Sequence, residues 1–457
     1  MHPDLFPYQR IGAEFLADHW SPNAILADGL GLGKSNQAIT AADLVGAKNI
    51  LVLCPGIARS NWLREFDKWS TMPRTKSAMF SSKSEADTDV VVCSYSLLPS
   101  KKALVKLLRR EWDVIIADEC HKISNRDAKS TKACYGNRCN GEAGLASKTK
   151  RFWLLSGTLI GNHLGEAWVH CRALFPDAVK GLERYSAWQD KFCTIRETPY
   201  GNSVVGSKNS AEFVERLKPF VIRRTAEQVL KDLPSMRVET VLLDVKNLPP
   251  RSAEIDEVER VLAAALAMSE KGHSDEAKQA MESIKDFHIS SLRRWVGLSK
   301  APAVASQVCD DFANGLDRLV LFAVHTDVMT ILNEGIPGSV LISGKTPTAT
   351  RDQYIDAFQG RPGKGPLFTN RPRCLIIQLS IGSTALTLTA ACHVSAAESN
   401  WAPKDLIQAF GRVRRIGQTR PVLAKIYTLR NTLDEQINAT LARKTRDIAS
   451  VEVGLAA

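Results

Sequence analysis

Short runs with no polar position, each stopped by a polar or glycine-rich turn, recur through the first third of the chain: Ala24–Ala27, Ile50–Leu53, Val90–Val92, Val114–Ala117 and Phe152–Leu155. A strand with one wet face alternates polar and apolar residues, so unbroken runs of this length predict strands buried on both faces, as in a parallel sheet covered by helices. The pattern lapses and then restarts with Leu319–Ala323, Val340–Ile342, Cys374–Leu379 and Ala391–Ala396. A chain of 457 residues, 44% of them hydrophobic, can build two cores. The expected fold is α/β: two lobes with parallel sheets. Between the lobes, Ile255, Val258, Val261, Leu262, Ala265 and Leu266 recur at helical spacing, so Arg251–Lys300 is expected to be largely helical. The charged, amphipathic tail Leu433–Val453 is read the same way.

Open α/β sheets bind ligands beyond the carboxyl ends of their strands. Three strings stand at such ends or near them. The first, DGLGLGKS at Asp28–Ser35, lies between a predicted strand and a predicted helix. There Gly31, Leu32 and Gly33 can offer backbone N–H groups to phosphate oxygens, Lys34 can reach the β and γ phosphates, and the Ser35 hydroxyl can hold Mg²⁺. Asp28 stands where the strict pattern has glycine. The second, DECH at Asp118–His121, ends a buried strand and pairs a metal-binding Asp118 with Glu119, placed to orient or deprotonate the attacking water. His121 reads as a relay between sites. In the third, QAFGRVRRIGQ, Arg412 and Arg415 lie three apart and share one face if the segment is helical, which suits them to a γ phosphate. ATP and Mg²⁺ are the expected ligands.

A formal charge of +11 favours a polyanionic partner, although basic enzymes without one are common. The ten cysteines lie mostly in apolar segments and no secretory segment opens the sequence, so an intracellular, reducing compartment is expected. Cys134 and Cys139 share a glycine-rich loop, but no second pair completes a four-ligand zinc set. The uncharged stretch Cys374–Ala397 is interrupted by Gln378, Gly382 and a run of Ser and Thr, so it reads as strand, loop and strand, with no membrane span expected.

Together these strings resemble the Swi/Snf-type ATPases of helicase superfamily two. DGLGLGKS resembles the family's DEMGLGKT, DECH its DEAH-like box, LLSGTLIGN at Leu154–Asn162 its LLSGTPxxN, and Arg223-Arg224 with Val229-Leu230 and Leu233-Pro234 its RRxxxxVLxxLP link. GLSKAPAV at Gly297–Val304 and the AExxWxP pattern at Ala397–Pro403 resemble the annealing-helicase and fork-remodelling branch. The resemblance implies two RecA-like lobes with helical protrusions: lobe 1 over 1–235, with a protrusion at about 160–220; a linker and protrusion over 236–300; lobe 2 over 301–432; and a helical tail over 433–457. It implies that Gln9 reads adenine and that Gly29 and Gln408 join the ATP-binding residues. Tyr95, Thr158, Ser383 and Thr384 would line a nucleic-acid groove. It also implies translocation on duplex DNA, branched or forked duplexes included. An RNA helicase of the DExH type and a slow, ATP-gated clamp are the alternatives. Gly29 replaces the usual acid, Leu159 the proline after SGT, Arg414 a histidine, and the fifth motif lacks the common glycine pair.

Overall fold

The apolar runs of the first half become inner strands of a seven-stranded parallel sheet. In this computed structural model the described residues are all except 19, 30, 137–142, 158–162, 199–200, 231–232, 247, 271–285, 361–370, 383–385, 399–402, 433 and 436–457. The strands of the first half are β1 (Ala24–Leu26), β2 (Ile50–Cys54), β3 (Lys76–Met79), β4 (Val90–Ser94), β5 (Trp112–Asp118), β6 (Thr149–Leu155), β7 (Cys193–Thr198), β8 (Gly201–Ser207) and β9 (Val221–Ile222). Seven of them line up as β3-β4-β2-β5-β6-β1-β9, every pair parallel. Every residue of β1, β2 and β4 is buried, as helix cover on both faces requires. The outermost strands, β3 and β9, escaped the sequence reading because one mixes Lys and Ser with its apolar residues and the other is two residues long.

A second sheet holds β10 (Met236–Leu243), β11 (Leu319–Ala323), β12 (Ser339–Ile342), β13 (Cys374–Gln378), β14 (His393–Ala396) and β15 (Val422–Leu429) in the order β10-β15-β14-β11-β13-β12, again all parallel. The two sheets belong to separate compact units, Met1–Lys231 and Asp232–Ile448. Each is a RecA-like α/β lobe. The expectation that 236–300 is linker and protrusion is corrected at its start, where β10 pairs with β15 over eight residues. An edge strand half exposed to water carries Arg237, Glu239 and Thr240, so no apolar run marks it. Helices Ala253–Glu270 and Asp286–Ala313 follow. Across 160–220, where a protrusion is expected, the described residues form helices Trp168–Leu174, Tyr185–Phe192 and Ser210–Leu217 and the antiparallel hairpin of β7 and β8.

Lys300 shows what fastens the second lobe. It is 1% exposed, and its Nζ donates to the Tyr427 carbonyl at 2.7 Å and to Asp434 Oδ2 at 2.6 Å. Asp434 Oδ2 also accepts the Leu429 N–H at 3.0 Å, so one buried ion pair joins the long helix to the end of β15. Such a charge is tolerated only because it is fully paired and hydrogen-bonded. Most of the expected C-terminal helix, 436–457, lies outside the described residues. No helix among the described residues is long and apolar enough to cross a membrane.

Candidate nucleotide site

Register decides which strand ends meet. Asp118 on β5 pairs with Leu155 on β6, and Leu155 pairs with Leu26 on β1. The glycine loop and the acidic pair therefore leave the sheet at one level, two strands or roughly 10 Å apart. The loop turns through two left-handed glycines, Gly31 at φ 82° and Gly33 at φ 76°. Alternation of that kind lets successive N–H groups converge on an anion. A Cβ at Gly33 would lie 2.5 Å from Gln9 Nε2, so the loop closes only with glycine there. Lys34 opens the helix Lys34–Leu44, followed by Ser35, and its Nζ donates to the carbonyls of Asp28 at 2.8 Å and Gly29 at 3.2 Å.

Behind the loop stands a network that the motif reading missed. Asp28 is fully buried, and Arg224 grips both its oxygens, Nε to Oδ1 at 2.9 Å and Nη2 to Oδ2 at 2.6 Å. Gln37, one turn into the loop's helix, donates to Asp28 Oδ2 at 3.1 Å and accepts from Arg224 Nη2 at 2.9 Å. Arg224 also donates to the Tyr8 carbonyl and lies over the Tyr8 ring. Arg223 donates to the Ala27 carbonyl at 3.1 Å. The pair of arginines that marked the link between lobes thus braces the strand and loop of the first. Gln9 is buried, its Oε1 accepting the Phe6 N–H and its Nε2 donating to the Leu32 carbonyl at 3.1 Å and to the Tyr8 hydroxyl. It is a strut between the N-terminal helix Pro7–Asp18 and the loop.

At the end of β5, Asp118 Oδ2 accepts the Trp62 indole N–H at 2.9 Å, and the Asp118 carbonyl accepts the Tyr95 hydroxyl at 2.7 Å. Tyr95 is 7% exposed, and burial pushes its phenol well above the ordinary range. The hydroxyl of Tyr95, a residue for which the resemblance implies a nucleic-acid contact, is thus donated inside the lobe. Thr158, Ser383 and Thr384 lie outside the described residues. Glu119 holds a left-handed conformation, φ 53° and ψ 52°, which costs a residue with a side chain about 1–2 kcal/mol. Strain of this kind accumulates at functional positions. Its Oε2 comes 3.2 Å from His121 Nδ1, close but not aligned as a hydrogen bond. Cys134 is a buried core thiol, pushed above its ordinary range by desolvation, and Cys139 lies outside the described residues.

In the second lobe the helix Pro403–Phe410 ends before the arginines, so a turn presents them rather than one helical face. Beyond the helix the backbone carbonyl of Arg412, a residue 6% exposed, accepts the Leu388 N–H at 2.9 Å. Arg415 Nη1 donates to the Leu386 carbonyl at 3.0 Å and the Thr387 hydroxyl at 3.1 Å. Gln418, quoted in the motif but given no role, fixes this turn: its Nε2 reaches the carbonyls of Ala391 at 2.7 Å, Thr389 at 3.2 Å and Val413 at 3.2 Å. Gln408 Nε2 is buried with no hydrogen-bond partner among the described residues, an orphan that costs about 1–3 kcal/mol until something accepts from it.

Two RecA-like sheets, the first ending in a glycine loop beside a strand-end acidic pair, define the class of helicase-related ATPases. Family comparison matches residues 8–285 to the SNF2-related domain and residues 306–417 to the helicase conserved C-terminal domain. The chain belongs to the SNF2-related family. It is 26% identical over 452 residues to the SWI/SNF-related matrix-associated actin-dependent regulator of chromatin subfamily A-like protein 1 of Xenopus laevis, covering 97% of this chain and 43% of that protein. The Caenorhabditis elegans homologue is 27% identical, with 94% and 59% covered, and the DNA annealing helicase and endonuclease ZRANB3 of Mus musculus 26%, with 97% and 40% covered. The chain spans about half the length of these relatives. Among solved structures, the Sulfolobus solfataricus SWI2/SNF2 ATPase core in complex with dsDNA matches with a TM-score of 0.44 at 23% identity, covering 99% of this chain and 94% of that one.

Proposed function

We propose that this chain is a DNA-dependent ATPase that moves along duplex DNA. The observation that carries the reading is the shared level of the glycine loop and the Asp118-Glu119 pair at the carboxyl ends of β1 and β5. Ser35 and Asp118 are hard oxygen donors of the kind Mg²⁺ takes, and Mg²⁺ would neutralise charge on the transferred phosphate. Lys34 exchanges its two loop carbonyls for phosphate oxygens, and Asp28, Gly29, Gly31, Leu32 and Gly33 supply the cradle. Glu119 orients the attacking water and takes its proton. Arg412 and Arg415 stabilise charge on the γ phosphate, and Gln408 and Gln9 complete the nucleotide's surroundings. The net charge of +11 suits DNA phosphates, and one relative's name is that of a DNA annealing helicase, which favours duplex DNA, branched forms included, over RNA. All nine cysteines among the described residues are free thiols, as expected of work inside a reducing cell compartment.

Steady-state ATPase rates with duplex DNA, single-stranded DNA, RNA and no nucleic acid, at one salt concentration, test the reading. Stimulation by duplex DNA above the others is expected, and Glu119→Gln should bind ATP yet lose at least about a hundredfold of turnover. RNA as the stronger activator, or retained turnover in the variant, would overturn it.

A further inference from the structure

Two hydrogen bonds on Asp118 come from different strand ends. Sheet order places β2 between β4 and β5, with Cys54 beside Ser94 and Leu53 beside Ala117. Tyr95, the residue after β4, therefore spans two strand spacings, roughly 10 Å, across the end of β2 to reach the Asp118 carbonyl. Trp62 reaches the same residue from the helix Arg59–Trp69, which begins right after the turn Gly56–Ala58 that leaves β2. Trp62 is 1% exposed, and an indole can only donate, so its single polar hydrogen is spent on the carboxylate. One aromatic side chain fixes the carboxylate and the other the backbone beneath it.

We propose that Trp62 and Tyr95 are positioning residues that set the geometry of Asp118 and transmit to it the state of two turns, Gly56–Ala58, which leads into the helix of Trp62, and Tyr95–Leu97, which Tyr95 opens. The turns lie at carboxyl ends of strands, where ligands of α/β sheets sit, so DNA phosphates held there would pull on Asp118 through two rigid rings. Groups that hold a metal-binding carboxylate from behind typically change metal affinity 10- to 100-fold when removed. This inference rests on the Mg²⁺-ATP reading of the site.

The test uses the full chain and a fluorescent ATP analogue followed by anisotropy while Mg²⁺ is titrated, so that no turnover is needed. Trp62→Phe should raise the half-saturating Mg²⁺ concentration about tenfold, and Trp62→His, which keeps an N–H donor, should recover part of it. Asp118→Asn sets the scale. A rise in Asp118→Asn without one in Trp62→Phe overturns the tether while leaving the metal reading standing; no rise in either overturns both. Tyr95→Phe removes one oxygen and little packing. It should lower the ratio of DNA-stimulated to unstimulated turnover several-fold, and an unchanged ratio would refute the relay.

Discussion

The Arg224–Asp28 pair makes a prediction about asymmetry. Asp28 is fully buried, whereas the Arg224 side chain keeps 13% of its exposure and also holds the Tyr8 carbonyl and Gln37 Oε1. Arg224→Gln removes the cation that grips both oxygens of Asp28 and leaves a carboxylate with no route to water. Removing one partner of a buried pair costs about 3–5 kcal/mol. Asp28→Asn strands an arginine that retains two acceptors and some solvent, so about 1–2 kcal/mol is expected. For a unit of this size 1 kcal/mol moves the midpoint by about 2–4 °C, so Arg224→Gln should melt about 10 °C lower and Asp28→Asn about 4 °C lower. Calorimetry of the full-length variants, following the transition that ATP shifts in the parent chain, measures both. The double variant holds no stranded charge and should melt above Arg224→Gln alone. Equal losses, or a double variant below that single one, would show that the pair does not act as a buried ion pair.

Two further outcomes follow from single contacts. Burial pushes the His170 imidazole down to about 4, so the folded state holds it neutral while an unfolded chain protonates near 6.5. Stability should therefore be complete above about pH 6.5 and fall by up to about 3 kcal/mol as the pH drops towards 4; His170→Phe should flatten that part of a stability–pH profile, and an unchanged profile would count against it. Gln418→Ala deletes the amide whose two N–H groups are shared among three carbonyls and pin the turn carrying Arg412 and Arg415. The turnover number should fall about tenfold or more with little change in KM for ATP, because the role proposed for the arginines is stabilisation of the transition state; a rise in KM alone would contradict the assignment.

What the sequence could reveal was local. An unbroken apolar run favours a doubly covered strand, and a left-handed turn favours glycine, so the inner strands and the loop at Asp28–Ser35 were legible from neighbouring residues alone. Helical spacing between residues 251 and 300 was legible for the same reason. Edge strands were not: β10 has one wet side, and its residues satisfy water as much as the core. The helical face expected for Arg412 and Arg415 failed because the chain turns after Phe410, where Gln418 and the carbonyls of Thr389 and Ala391 hold it.

The partners of the site residues depended on strand order, which chain order does not encode. Arg224 meets Asp28 from 196 residues away, because β9 closes the sheet beside β1. Trp62 and Tyr95 meet Asp118 from 56 and 23 residues away, because β2 and β4 lie on the same side of β5. Sequence alone determined which chemical groups the site could use, since backbone conformation and burial period are properties of short segments. The tertiary structure decided what holds each group in place, since a hydrogen bond or ion pair forms only between atoms that the packed sheet brings within about 3 Å.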